Sequence, residues 1–167
     1  MAQSAKYLGS AIGLTNAIAK TYPVADGVTV HEGDFVALES GRVTNSGIAG
    51  KRLLGMVLGK DTDVSDHSTD REATGDSDGT VQVTVVVDPY AHYLVKNDND
   101  GATFDEDSIG DYFDLTGGAG EQLVDTSTGG SDAAQLLAVD YNPYEHANLD
   151  DNEDYGVFMI AEHKFRR

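Results

Sequence analysis

Eight residues, "TVQVTVVV" at 80–87, constrain this chain more than any other stretch. Val81, Val83, Val85 and Val87 recur at every second position, with Gln82 and Thr84 between them. Side chains on a pleated strand alternate between its two faces, so this period of two sets the four valines on one side. Valine is also among the residues that a pleated, half-buried surface favours. A strand with one apolar face must bury it against others. Similar short runs occur at 28–31, 35–39, 42–44, 53–58, 91–95, 111–115, 134–141 and 155–164, and most of the 19 glycines and 3 prolines lie between them. The pattern predicts an all-β fold, a small β-barrel or β-sandwich.

At 167 residues the chain fits one ordinary domain. The opening segment, "MAQSAKYLGSAIGLTNAIAKTY", has scattered apolar residues and glycines at 9 and 13, which weaken a helix. We read residues 1–22 as an N-terminal arm, extended or briefly helical, and 23–167 as a single β domain. Such an arm is ordered only when something holds it. Tyr7, Leu8, Ile12, Leu14, Ile18 and Lys20 are the interface residues it offers. Residues 59–79 and 116–133 read as long polar loops.

Charge narrows the function classes. Residues 1–60 hold six basic and four acidic residues, residues 61–162 hold 25 acidic and two basic, and the tail from 163 adds three basic, for a net charge of −18. A surface of that sign repels phosphates, which argues against nucleic acid and anionic membranes as partners. The partition also turns the first 60 residues toward any acidic shell or neighbouring subunit. In molar salt the Debye length falls to about 3 Å, so carboxylates beyond contact distance hardly repel one another. An acidic excess made mostly of aspartate, with few lysines, points to a halophilic source. There is no cysteine, which removes disulfides and thiolate metal sites. No run approaches the ~20 apolar residues of a membrane span, and no leader pattern opens the chain, so a soluble, unsecreted protein is expected.

Candidate sites are weak by spacing. "HEGD" at 31–34 crowds His31, Glu32 and Asp34 beside Gly33, but it lies between two strand runs and reads as a turn. In "KNDNDGATFDED" at 96–107, Asp98, Asp100 and Gly101 match three positions of a calcium loop, yet Lys96 and Asp107 occupy the two positions that matter most. "DSDG" at 76–79 reads as a tight turn whose Asp76 and Asp78 could hold a cation loosely. Asp76, Asp78, Asp98 and Asp100 are therefore weak metal candidates only. The five histidines show no zinc spacing, and no nucleophile elbow, phosphate loop or dinucleotide fingerprint is present. No catalytic residue and no cofactor is assigned, and the chain is read as a binding protein rather than an enzyme.

The order "YPVADGVTVHEGDFVALESGRVT", "LLGMVLG", acidic loop, "GTVQVTVVVDPYAHYLV" resembles the small β-barrel cement, or head-decoration, proteins of tailed viruses. Gly33, Asp34 and Val36 match that family's turn into a strand, Gly41 and Val43 its short hairpin, Gly55 and Val57 its third strand, and Val81 to Val87 its valine-alternating strand; the match implies that "HEGD" is a hairpin turn whose acids face solvent, not a site. The likeness covers about residues 22–95, and the acidic segment 96–154 departs from it. The resemblance implies a structural virion protein on the outer capsid surface, made in the host cytoplasm, whose partners are the major capsid protein and its own copies. A trimer is the first expectation among cyclic oligomers, and the acidity adds a halophilic archaeon as host. The alternative is a carbohydrate-binding or adhesion module on a virion or cell surface.

Carboxylate repulsion that salt screens should appear in stability. The melting temperature should fall when the protein is dialysed from molar NaCl or KCl into dilute buffer. A flat or rising value on dilution would remove the halophilic reading.

Overall fold

The computed structural model describes residues 5–10, 18–60, 72–98, 100, 104–129, 135–140 and 155–164. In chain order these form β1 (Ala5–Ser10), β2 (Ala19–Pro23), β3 (Thr29–His31), β4 (Phe35–Glu39), β5 (Arg42–Thr44), β6 (Leu53–Lys60), β7 (Glu72–Thr74), β8 (Gln82–Val86), β9 (Ala91–Lys96), β10 (Tyr112–Thr116), β11 (Leu123–Asp125), β12 (Leu136–Asp140) and β13 (Tyr155–Ile160). The protein is all-β, as the alternation requires, and every pairing between these strands is antiparallel.

Two sheets carry the architecture. One has the order β2-β8-β6-β4-β5, the other β1-β9-β13-β12-β10-β11, and β3 pairs with β7 beside them. Both curl. Just beyond β2, Val24 bridges Val43 of β5 and the Ala25 N–H donates to the Val43 carbonyl at 2.9 Å. Just beyond β9, Asn97 bridges Val124 of β11 and the Asp98 N–H donates to the Val124 carbonyl at 3.0 Å. Bulges at 36/37, 57/59 and 138/140 supply the extra twist that curling needs. The β4–β5 hairpin closes through Ser40 (φ 49°) and Gly41 (φ 81°), a pair of left-handed residues that suits the twist of two-residue hairpins.

Two apolar clusters fill the interior. The smaller gathers Val24, Val30, Val36, Val43, Leu54, Val57, Val83, Val85 and Val87 inside the five-stranded curl. The larger joins both sheets, with Phe35, Leu53, Met56 and Val86 from the first and Tyr93, Phe113, Leu136, Phe158 and Ile160 from the second. Phe35 meets Tyr93 edge-on at 5.1 Å, and Phe104, Phe113 and Phe158 form a ring cluster at 5.1–6.0 Å. Thus β4, β6 and β8 are apolar on both faces. This is why "FVAL", "LLGMV" and "VVV" are near-continuous apolar runs rather than strict alternations. Each fully buried Val, Leu or Phe contributes on the order of 1.5–3 kcal/mol.

The expected boundaries need amendment in three places. The segment read as an arm supplies β1 at one sheet edge and β2 at the other, so its described part is extended, not helical; Ala5 lies in the larger core. The loop at 59–79 contains β7, and that at 116–133 contains β11. Both are three-residue strands with a single buried residue, Ala73 or Val124, too short to create a period.

Gly55 is the residue that the β6–β8 contact cannot do without. A Cβ there would lie 1.6 Å from the Val86 carbonyl oxygen, and that atom is backbone. Gly55→Ala should therefore destabilise the protein by about 3 kcal/mol or more, since the strands must part on a surface buried on both sides. Denaturant unfolding measures this, and a change below ~0.5 kcal/mol would contradict the close approach.

Candidate functional site

The polar residues of "HEGD" form a turn between β3 and β4, as expected, with the Asp34 N–H donating to the His31 carbonyl at 3.1 Å. The expectation that its acids face solvent fails at Asp34, which is 1% exposed. Glu32 is half-buried. Asp34 Oδ2 accepts the His31 N–H at 2.8 Å and the Asn45 amide at 3.0 Å, while Oδ1 accepts the Gly120 N–H at 2.8 Å. Gly120 belongs to the turn between β10 and β11, so one carboxylate joins the two curled sheets. Burial pushes the Asp34 carboxyl above the ordinary carboxylate range, against the opposing pull of its hydrogen bonds with His31, Gly120 and Asn45 and of the nearby His31 ring.

Sequence position explains why Gly120 fits. Its φ is +74°, and a Cβ there would sit 3.1 Å from the His31 ring. His31 Nε2 lies 3.2 Å from Glu72 on β7, and its Nδ1 is 3.8 Å from Asp34. Imidazole, carboxylates and the Gly120 turn thus pack as one clamp.

Two glutamines extend it. The Phe35 N–H donates to Gln122 Oε1 at 2.6 Å, and Gln122 Nε2 donates to the Phe35 carbonyl at 3.0 Å, so a side-chain amide pairs with the backbone as a neighbouring strand would. Gln135 accepts the Leu115 N–H at 3.1 Å through Oε1 and donates through Nε2 to the Ile48 and Lys51 carbonyls, both at 2.7 Å. Both glutamines are 1% exposed. Finally, the Lys164 N–H donates to the Leu53 carbonyl at 2.8 Å, beside the bridge between Leu53 and His163. Asn45, Gly120, Gln122 and Gln135 were not singled out from the sequence, where the first three fall in loops and Gln135 is one polar position of the strand run 134–141. Only a fold that brings 34 and 120 together gives them a role.

The four weak metal candidates fall in two separate turns. Asp76 accepts the Thr80 N–H at 2.8 Å and the Thr80 hydroxyl, and these bonds, the hydroxyl first, hold its carboxyl below the usual range. Asp78 accepts from the Ser77 hydroxyl at 3.3 Å. Arg42 donates to the Asp76 and Ser77 carbonyls at 2.7 and 2.8 Å, so "DSDG" is a capped turn before β8. Asp98 accepts the Thr126 hydroxyl at 3.0 Å and its N–H at 3.3 Å, and also the Asp100 N–H at 3.3 Å. Among the described residues no three His, Asp or Glu side chains converge as metal ligands would.

The interface candidates also separate. Tyr7 pairs with Tyr93 in the β1–β9 register, and Leu8 falls at the shift that follows. Ile12 and Leu14 lie outside the described residues. Ile18 is 45% exposed while its carbonyl accepts the Val87 N–H at 2.8 Å, and Lys20, exposed on β2, pairs in register with Val85.

An asparagine at 34 can keep an acceptor toward only one side of the clamp, leaving at least one buried donor facing another. Asp34→Asn should lower the unfolding free energy by about 1–3 kcal/mol. The folded state holds a proton on Asp34 more tightly than the unfolded chain. That contribution is fully present below the ordinary carboxylate pKa and is lost as pH rises through the raised one. The variant lacks this dependence, so its deficit should be larger in acid than at neutral pH. Urea unfolding over a pH series decides it: no deficit at any pH would remove Asp34 as the clamp, and a deficit that does not change with pH would remove the raised carboxyl. Comparison with known proteins brings no relative to this arrangement: no family model, no curated protein and no solved structure matches the chain.

Proposed function

We propose that this chain is a structural protein of a tailed virus, from a halophilic archaeal host, that binds the outside of the assembled capsid and stabilises it as a decoration or cement protein. The observation that carries this reading is the direction of the buried polar contacts. Asp34, Gln122, Gln135 and the Leu53–Lys164 bond each tie one curled sheet to the other through backbone groups. Contacts of that kind resist hinge motion between the two halves. A cement needs such a body, because it bridges neighbouring capsomers and must hold their spacing. Each bridge adds interface that exists only in the closed shell, so binding stabilises the assembled state by mass action.

Acid placement supports the salt-rich setting. Asp114 on β10 stands directly opposite Asp125 on β11, a like-charge pair that costs stability in dilute solution. Burial raises the Asp114 carboxyl above its usual range, opposed by the Gln135 backbone N–H and reinforced by the charge of Asp125. Residues 1–60, where basic groups outnumber acidic ones, face the shell or neighbouring subunits in this reading. The partners are the major capsid protein and further copies of the chain in a cyclic arrangement.

Mass spectrometry of purified particles tests the proposal through copy number. Hundreds of copies per particle are expected, together with loss of heat stability when the protein is stripped and its return on re-addition. Absence from particles, or a handful of copies as in a tail or receptor protein, would overturn it.

A further inference from the structure

Antiparallel sheets with one solvated face alternate apolar residues inward with polar residues outward. Among the described residues the outer face of the six-stranded sheet is apolar at Leu94 and Val157, which stand opposite each other and are each 7% exposed, and it stays apolar but more open toward β10. Tyr112 on β10 stands opposite Leu137 on β12, and Leu137 stands opposite Met159 on β13. Their chain neighbours Phe113, Leu136 and Ile160 line the inner cluster, so these three point outward. Tyr112 is 43% exposed, and Ile109, three residues earlier, is 47% exposed. Ile109 is kept beside the row because the Gly110 N–H donates to the Ala138 carbonyl and the Ala138 N–H to the Asp111 carbonyl, both at 2.9 Å. On a protein of charge −18 this is a contiguous apolar surface, the kind that marks an interaction site.

We propose that this patch is a contact between two copies of the chain, related by a two-fold axis that passes close to Leu137. The charges flanking the patch select this occupant. Before β10 lie Asp105, Glu106, Asp107 and Asp111, the last three exposed. On the diagonally opposite flank, beyond β13, lie Arg52 and Lys164. Arg52 is 64% exposed and stands 3.8 Å from Glu162, which shares that flank. Lys164 is exposed, with its N–H bonded to Leu53. The ladder fixes the diagonal: Gly110 is level with Ala138, whereas Ala161, whose N–H donates to the Gln135 carbonyl at 2.8 Å, is level with the other end of β12.

A two-fold axis lying in the interface, across the line joining the flanks, sets the acidic flank of one copy over the basic flank of the other, twice. A membrane or nucleic acid would set its phosphates against four acids. A uniformly basic protein would oppose Arg52 and Lys164. The matched arrangement belongs to a second copy, and it stands apart from the capsid reading, so a negative particle assay leaves it intact.

Sedimentation velocity on the full chain in molar salt, over a concentration series, tests the contact. A species of two-chain mass is expected. Ile109→Asp with Tyr112→Asp should weaken association at least tenfold, with circular dichroism and melting temperature unchanged because both side chains are exposed. Arg52→Glu should weaken it several-fold, and adding Glu106→Lys with Asp107→Lys should restore it. A chain that is monomeric throughout, or an oligomer indifferent to the Ile109 and Tyr112 substitutions, would overturn the proposal. So would a monomer whose double variant loses only attachment to particles, since the shell would then be the occupant.

Discussion

The paired hydrogen bonds between the Gln122 amide and the Phe35 peptide are the interaction on which the rest depends. Strand β5 reaches along β4 only from Ala37 to Glu39, which leaves the backbone of Phe35 without a strand neighbour on that side. An N–H and a carbonyl buried without partners would each cost on the order of 1–3 kcal/mol. Gln122 meets both, and in doing so it brings the β10–β11 turn against β4. Asp34, one residue earlier, takes the Gly120 N–H from the same turn. The Phe35 ring can then lie in the larger core against Tyr93. Polar satisfaction and apolar burial are thus solved by the same few residues.

This arrangement explains how so acidic a chain keeps a fixed shape. Ion pairs add little to it: Lys51 with Glu39 at 2.7 Å and Arg52 with Glu162 at 3.8 Å join partly exposed groups. It is held by apolar strands buried on both faces and by neutral amides that bond to backbone. Neither contribution weakens when salt screens charge, whereas repulsion such as that between Asp114 and Asp125 does weaken. High salt therefore removes a cost and leaves the main stabilising contacts in place.

The fold class and most strands were legible because hydrophobic period is a local property of the chain. Val81, Val83, Val85 and Val87 belong to the smaller cluster's side, as the alternation implied. Val86, between them, belongs to the larger core, and no pattern in a single strand indicates a second buried face. Strands β7 and β11 were missed for a related reason, since one buried residue in three has no period. The candidate site was half legible. The turn at 31–34 was read correctly, but its acid was read as solvated, because the donor that accounts for its burial, Gly120, is 86 residues away.

By itself, the sequence determined an all-β chain with excess acid confined to residues 61–162 and its turns at glycine-rich points, because strand period, charge and left-handed φ are set by each residue and its near neighbours. Only the tertiary structure decided which polar residues matter. In the sequence Asp34 is a turn acid, Gln122 a loop residue and Gln135 one polar position of a strand run until two curled sheets meet, and a buried polar group acquires its role from a partner that sequence distance hides.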